Sequence, residues 1–268
     1  MNPPIALTIA TSDPSGGAGI QADLKTFSAL GAYGTAVLVA LTAQNTHGVT
    51  GVHVVPTAFI TQQLETLVAD VSVDAVKIGM LANAEVVNTV ADFLERHRPP
   101  SVVLDPVMVA TSGDRLLDAS AVRDLRDRLL PLADLVTPNL PEAAALLETE
   151  PAREDEEIIR QADALRELGV ARVLLKGGHR VESAESADYY VDGDVSRWLR
   201  APRVDTTHTH GTGCTLSSAI AALRPRRPDW LSAIEDAKRY VTQSLRAADA
   251  VKVGSGHGPV HHFHAWWR

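Results

Sequence analysis

The sequence predicts an α/β fold whose central sheet is mostly parallel, with an antiparallel edge. Short apolar runs of strand length alternate with longer segments in which apolar residues recur at helical spacing. Most of these strand-length runs end at a polar or glycine-containing loop. Repeated βα units place helices on both faces of a parallel sheet, and ligands then bind beyond the carboxyl ends of its strands.

The first two-thirds of the chain supplies the βα units. Strands are expected at residues 5–11, 36–41, 52–55, 75–78, 102–104, 135–137 and 173–175. The polar stretch 42–48 is expected to be a loop. Helices are expected at residues 20–30, 84–97, 120–130, 141–147 and 154–168, and in a segment that Thr57 caps and whose apolar residues run from 60 to 71.

The last third departs from this alternation. Residues 189–191 and 195–199, joined across Asp192-Gly193-Asp194, are typical of a hairpin and predict the antiparallel edge. Helices follow at 214–223 and from 230 to about 250. Since no linker, repeat or low-complexity segment interrupts the chain, residues 1–268 are expected to form one domain.

Composition and net charge exclude several classes of function. The 268-residue chain carries a net charge of -8, which argues against a nucleic-acid or anionic-membrane partner. Its single cysteine cannot form an internal disulfide and fits a reducing cytosol. The N-terminus lacks the basic start and long apolar core of a signal peptide, and no apolar run is long enough to cross a membrane. We therefore expect a soluble, cytoplasmic protein.

A glycine-broken turn at residues 209–216 runs into a segment with helical spacing. Such a turn leaves backbone N–H groups free at the positive end of a helix and predicts an anion site. Cys214 lies at the start of this helix, where a thiolate is favoured over a thiol.

Other chemistry-bearing residues follow the strands, so that a parallel sheet would bring them to one edge. They are Asp13, Gly16, Gly17, Gln44, Asn45, Gly79, Met80, Asp105, Asn139, Glu142, Lys176, Gly177 and Gly178. Phosphoryl transfer needs backbone donors with a cation, carboxylates for Mg²⁺, and a group that takes the proton of the nucleophile, and all three sets are present. The Walker pattern and the protein-kinase signatures are absent, so a kinase here would use another fold.

Each feature also has a purely structural interpretation. The glycines at 16–19 can make a tight βα turn, and Asp105 before Pro106 can form a turn. Lys176 can be a solvated charge, and Cys214 a small buried residue. The histidines at 261, 262 and 264 resemble a metal-binding tract but lack the spaced partners of a closed zinc site.

Taken together, the motifs resemble those of the hydroxymethylpyrimidine/phosphomethylpyrimidine kinases of thiamine biosynthesis. The matching segments run in order along the chain, at residues 13–26, 43–46, 77–81, 103–108, 137–143, 176–179, 210–215 and 258–263. The resemblance implies a three-layer α/β/α ribokinase-like fold, usually a homodimer. It also implies ATP-dependent phosphorylation of 4-amino-5-hydroxymethyl-2-methylpyrimidine to its monophosphate and then to the diphosphate.

The resemblance assigns roles by matching position. Gln44 would bond the amino group and ring nitrogen of the pyrimidine, Asp23 would lie near its hydroxymethyl group, and Met80 and Val107 would pack on the ring. The remaining assignments concern phosphate and metal: Gly211, Thr212, Gly213 and Cys214 as the anion hole, Lys176, Asn139 and Gly213 toward ATP, and Asp105 and Glu142 toward Mg²⁺. Cys214 could accept the hydroxyl proton if the helix start lowers its pKa from about 8.5.

Two other functions compete with this one. A pyridoxal or pyridoxine kinase of the same fold also acts on a hydroxymethyl-bearing heteroaromatic ring, although Gln44 and the Asn45-Thr46 loop favour the pyrimidine. A non-catalytic pyrimidine-binding protein could keep the fold, but intact phosphate-side residues argue against it.

The sequence departs from the family that it resembles at one position beside the expected substrate. Many members of that family have glycine where this chain has Thr11.

Overall fold

A mixed sheet of nine strands runs through the computed structural model, which describes residues 2–108, 117, 119–178 and 184–267. His179, part of one matching segment, lies outside the described residues. The strand order is β3-β2-β1-β4-β5-β6-β7-β8-β9. The bounds are β1 Ile5–Ser12, β2 Tyr33–Asn45, β3 Gly48–Val54, β4 Ala75–Ile78, β5 Val102–Leu104, β6 Leu135–Val136, β7 Val173–Lys176, β8 Glu185–Val191 and β9 Ser196–Pro202.

The centre of the sheet is parallel, as predicted. Strands β2, β1, β4, β5, β6 and β7 pair in parallel, and their carboxyl ends share one edge. Strands β8 and β9 form the predicted antiparallel hairpin and extend the sheet beyond β7. The functional side chains therefore have a common edge to converge on.

A second antiparallel pair lies at the opposite end of the sheet. The prediction of a loop at residues 42–48 was wrong, because β2 continues to Asn45 and pairs antiparallel with β3 from Gly48. An antiparallel edge can face water, so polar residues do not end a strand there as they would in a buried one. Gln44 thus projects from a strand.

Helices cover both faces, as the three-layer prediction requires. Their bounds are α1 Gly19–Ala29, α2 Thr57–Val68, α3 Ala84–His97, α4 Ala119–Asp124, α5 Leu140–Leu147, α6 Asp155–Glu167, α7 Thr212–Leu223 and α8 Trp230–Arg246. On one face, α1, α7 and α8 pack against the sheet through residues such as Phe27, Ile220 and Ile234. Helices α2 to α6 cover the other face.

Several helix ends differ from the prediction. Thr57 is the first helical residue of α2, and Pro56 occupies the capping position without a side-chain hydrogen bond. The helix expected at 120–130 is α-helical only to Asp124; a π-helical turn, Leu125–Leu129, and a 3₁₀ turn, Leu130–Leu132, complete it around Pro131. Helix α8 stops at Arg246, before a short 3₁₀ turn. In the part of the chain that is described, no helix has the length and apolar character needed to span a membrane.

Candidate active site

An ion pair joins two strand ends at the carboxyl edge. Lys176, the last residue of β7, places its Nζ 2.9 Å from Oδ1 of Asp105, which directly follows β5. Thr137 donates to the same oxygen at 3.2 Å, and Ser217 of α7 donates to Oδ2 at 3.2 Å. Burial opposes the charge on Lys176, but Asp105 and Glu142 outweigh it and raise the pKa of Lys176 to about 12. Lys176 is thus a fixed cation.

A second carboxylate lies beside this pair at the start of α5. Glu142 and Asn139 form a capping box. The backbone N–H of Asn139 donates to Glu142 Oε2, and the backbone N–H of Glu142 donates to Asn139 Oδ1, both at 2.8 Å. Glu142 Oε2 is 3.9 Å from Lys176 Nζ, and burial raises the pKa of Glu142 to about 7. One ammonium group therefore serves two buried carboxylates.

The glycine turn lies against these charged groups. Gly211 precedes α7 with φ 78° and ψ 10°, a left-handed conformation, and a Cβ there would lie 1.8 Å from the carbonyl oxygen of Gly17. A Cβ at Gly213 would lie 3.3 Å from Lys176 Nζ and 3.7 Å from Asp105 Oδ2. The first turn of α7 and the lysine thus approach the same space.

Cys214 is partly exposed in the first turn of α7. Burial raises the pKa of its thiol to about 11; the charge of Lys77 acts in the opposite direction, whereas Asp23 and Asp105 raise the pKa further. The expected lowering of this pKa by the helix start is not what the surroundings favour, because burial raises the pKa more than Lys77 and the Gly19 amide lower it. A pKa of about 11 favours the thiol over the thiolate at neutral pH.

Asp23 is fully buried. Its carboxylate pairs with Lys77 Nζ at 2.9 Å and also accepts hydrogen bonds from Thr8 at 2.6 Å and Ser218 at 2.5 Å. The expected position of Asp23 near the hydroxymethyl group stays a prediction, and the structure adds that its carboxylate already has three buried partners. Lys77 lies in a four-residue strand that is buried throughout, and a charge in such a strand requires a partner; that signal could have indicated the pair.

The predicted substrate residues occupy the ends of neighbouring strands. Gln44, Met80 and Val107 are all partly exposed. Thr11, at the end of β1, is buried and donates its hydroxyl to the carbonyl of Met80 at 3.1 Å. The structure therefore brings these positions to the same edge as the ion pair, with Gln44 and Met80 nearer β2 and Val107 two residues after Asp105.

His210 is a contact that the motif analysis missed. Its Nε2 lies 2.8 Å from Asp13 Oδ2 and 3.4 Å from Gln44 Nε2. Asp13 also accepts from the amides of Ser15 and Ala18. Although burial opposes ionisation, these hydrogen bonds, led by that from His210, hold the pKa of Asp13 below its ordinary value. The sequence signal for it was the position of His210 within the glycine-turn motif, directly before Gly211.

The C-terminal histidines His262 and His264 contact side chains of helices α7 and α8. His262 Nε2 lies 3.1 Å from Thr215 Oγ1, and burial lowers the pKa of His262 to about 3. His264 Nε2 lies 3.2 Å from Gln243 Oε1. These contacts fasten the end of the chain to α7 and α8.

The donor set at Asp105 and Glu142 fits a magnesium ion bound together with a nucleotide. In the residues that the structure describes, no group of three or more His, Cys, Asp or Glu side chains could hold a metal ion. Mg²⁺ commonly uses one or two carboxylates together with water and substrate phosphates. The raised pKa of Glu142 indicates an undercompensated carboxylate that a cation would stabilise.

Comparison with known proteins identifies the family of this chain. The family model described as phosphomethylpyrimidine kinase matches residues 13–261. The chain belongs to this family. The hydroxymethylpyrimidine/phosphomethylpyrimidine kinase of Salmonella typhimurium is 55% identical over 98% of each chain. The resemblance drawn from the motifs is thereby confirmed.

Solved structures agree with this assignment. The phosphomethylpyrimidine kinase of Clostridium difficile superposes with a TM-score of 0.80 at 38% identity, covering 90% of this chain and 99% of that one. A pyridoxal kinase from Staphylococcus aureus, solved with AMP-PCP and pyridoxal, gives a TM-score of 0.90 at 31% identity, covering 98% and 95%. The ribokinase-like α/β/α fold is confirmed.

Proposed function

We propose that this kinase uses ATP to phosphorylate 4-amino-5-hydroxymethyl-2-methylpyrimidine to its monophosphate and then to its diphosphate, in thiamine biosynthesis. The observation that carries the proposal is the glycine turn at the start of α7, which lies against the Lys176–Asp105 pair at the carboxyl edge of the sheet. The Salmonella typhimurium relative, which matches over nearly its full length, carries both kinase activities in its name.

The phosphate side would work by position and charge. The backbone amides of residues 211–214 would bind the transferring phosphoryl group, and Lys176 would neutralise charge on the nucleotide phosphates. Asn139 would order the start of α5 beside them, through its capping box with Glu142. Asp105 would keep Lys176 in place, since their 2.9 Å contact is buried.

ATP and Mg²⁺ complete the proposal. A relative of the same fold binds AMP-PCP, and Asp105 and Glu142 are the residues that would hold Mg²⁺. The ion supplies charge neutralisation at the phosphate oxygens.

The substrate side would recognise the ring. Gln44 offers one donor and one acceptor group for the amino group and ring nitrogen of the pyrimidine, and Met80 and Val107 offer apolar surface. Cys214 would shape the anion hole as a thiol, because a pKa of about 11 leaves too little thiolate to act as base at neutral pH. A loose phosphoryl-transfer transition state makes little demand on a base. Asp23 would serve as the buried counter-charge of Lys77.

Three further expectations remain predictions. They are the homodimer that the resemblance implies, the cytoplasmic location and the lack of a nucleic-acid partner that the composition suggests.

The competing function is phosphorylation of pyridoxal, favoured by the likeness to a pyridoxal kinase. A coupled ADP-release assay on both substrates distinguishes the two. We expect kcat/KM for the pyrimidine to exceed that for pyridoxal. Turnover of pyridoxal with an inert pyrimidine would overturn the proposal in favour of its competitor.

A further inference from the structure

His210 connects three parts of the site. Its backbone directly precedes the glycine turn, its ring nitrogen Nε2 meets Asp13 at 2.8 Å, and the same nitrogen faces the Gln44 amide at 3.4 Å. The ring is buried, with 8% of the residue exposed, whereas Gln44 is partly exposed. A buried group is thus fixed against a residue that faces the cleft.

The Asp13 carboxylate determines the proton on His210. Asp13 is held ionised by the donors around it, so that its Oδ2 can only accept a hydrogen bond. At 2.8 Å, the facing nitrogen of His210 must therefore carry hydrogen, whether the ring is neutral or charged. His210 Nε2 is a donor in either state.

This donor decides which end of the Gln44 amide faces it. The two ends of a carboxamide have nearly the same shape, so that hydrogen-bond partners assign its orientation. An amide nitrogen directed at His210 would set one donor against another. The structure places the amide nitrogen toward His210 and the amide oxygen 3.1 Å from Thr42 Oγ1, where it accepts from the hydroxyl. Exchanging the two ends of the amide directs the oxygen toward His210 and the nitrogen toward Thr42 Oγ1.

The same orientation satisfies the neighbouring hydroxyl. Thr42 Oγ1 donates its proton to the carbonyl of Ser12 at 2.9 Å, which leaves its lone pairs free to accept from the amide. Each donor then has an acceptor, and each end of the Gln44 amide retains one unused hydrogen-bonding site.

We propose that His210, held by Asp13, is a specificity-positioning residue that locks the orientation of the Gln44 amide. The lock fixes the order of donor and acceptor that the cleft presents to a ring. It selects a ring with an amino group next to an unprotonated nitrogen over one with a carbonyl next to an N–H. The inference rests on the proposed function, because it assumes that Gln44 contacts the substrate.

The test compares 4-amino-5-hydroxymethyl-2-methylpyrimidine with its 4-oxo analogue, in which the donor and acceptor positions are exchanged. We expect wild type to favour the amino compound by at least about 10²-fold in kcat/KM, because the oxo compound leaves polar groups unpaired. His210→Leu frees the amide to rotate and should reduce this ratio at least about tenfold, with KM for ATP little changed.

Conservative variants separate positioning from folding. His210→Gln keeps an N–H near the position of Nε2 and should retain the ratio within about threefold. His210→Asn, whose shorter amide does not reach, should lower the ratio as leucine does and replaces that variant if it fails to fold. His208→Leu is the matched control, since the His208 ring faces Asp249 at 3.8 Å, and it should leave the ratio unchanged.

The outcomes distinguish the two claims. A wild-type enzyme that phosphorylates the amino pyrimidine, together with His210→Leu and His210→Asn variants that keep the full ratio, overturns the lock and leaves the proposed function intact. A wild-type enzyme that phosphorylates neither pyrimidine overturns the proposed function and, with it, this inference.

Discussion

Lys176 is the cation of the proposed phosphate site. The sequence places Lys176 at a strand end among other chemistry-bearing residues, which indicates more than a solvated charge. Its side chain is 14% exposed and contacts Asp105, in agreement with that interpretation. Lys176→Ala should lower kcat at least about 10²-fold, because a preorganised charge at the phosphoryl group is lost. The rate of ADP release in a coupled assay measures this decrease in kcat.

The matched control is Lys252→Ala, at an exposed position. Both variants are assayed below the melting temperature of the less stable one, since Lys176→Ala also leaves buried carboxylates uncompensated. Equal turnover in Lys176→Ala and Lys252→Ala would remove Lys176 from the proposed machinery.

Cys214 has a thiol whose pKa is raised to about 11, and the chain has no other cysteine, so that its alkylation can be followed without background. The rate of reaction with iodoacetamide should rise about tenfold per pH unit from pH 7 to 9.5, because only the thiolate reacts. The same chain in urea should level off near the ordinary pKa. A plateau below pH 8 in the folded protein would show instead that the helix start prevails over burial.

Glu142, at the start of α5, makes the stability of the protein depend on pH. Unfolded Glu142 loses its proton near 4.5, whereas the folded residue keeps it to about 7. Between these values the native state binds more protons, so that stability falls as pH rises. Glu142→Gln removes this loss; its stability relative to wild type should improve by about 1–2 kcal/mol from pH 5.5 to pH 7.5.

Urea unfolding at the two pH values measures this change. Glu150→Gln, at an exposed position three residues beyond α5, is the control and should show no such pH dependence. A constant difference between Glu142→Gln and wild type would mean that Glu142 is ionised throughout this range.

Among the elements, buried strands and amphipathic helices were predictable, and β4, α3 and β5 have the predicted bounds. Their apolar periodicity reflects burial on one or both sides, which sequence records directly. The β2–β3 hairpin was not predictable from residues 42–48, because an edge exposed to water places no apolar demand on its strands.

The site was predictable where chemistry follows a strand end, and less so where a long-range contact changes a role. Asp105, Glu142 and Lys176 meet as the parallel order requires. The burial of Asp23 depends on Lys77, 54 residues away in sequence, and the pKa of Cys214 depends on how the finished fold excludes water. Neither follows from local pattern.

At the scale of the whole molecule, the sheet order produces the site. Helix α7 lies on the face that it shares with α1 and α8, and its first turn reaches the carboxyl ends of β5 and β7. The proposed phosphate-binding turn and Gln44 are connected through His210 and Asp13. One sheet edge therefore brings together the residues that we propose recognise the ring and those that we propose bind the anion.

The most direct test of the central claim is the identity of the product. The purified protein is incubated with Mg-ATP and 4-amino-5-hydroxymethyl-2-methylpyrimidine, and the phosphorylated species are followed over time by ³¹P NMR. We predict that the monophosphate appears first and is then converted to the diphosphate. A pyrimidine that stays unphosphorylated would contradict the claim, and accumulation of the monophosphate alone would contradict its second step.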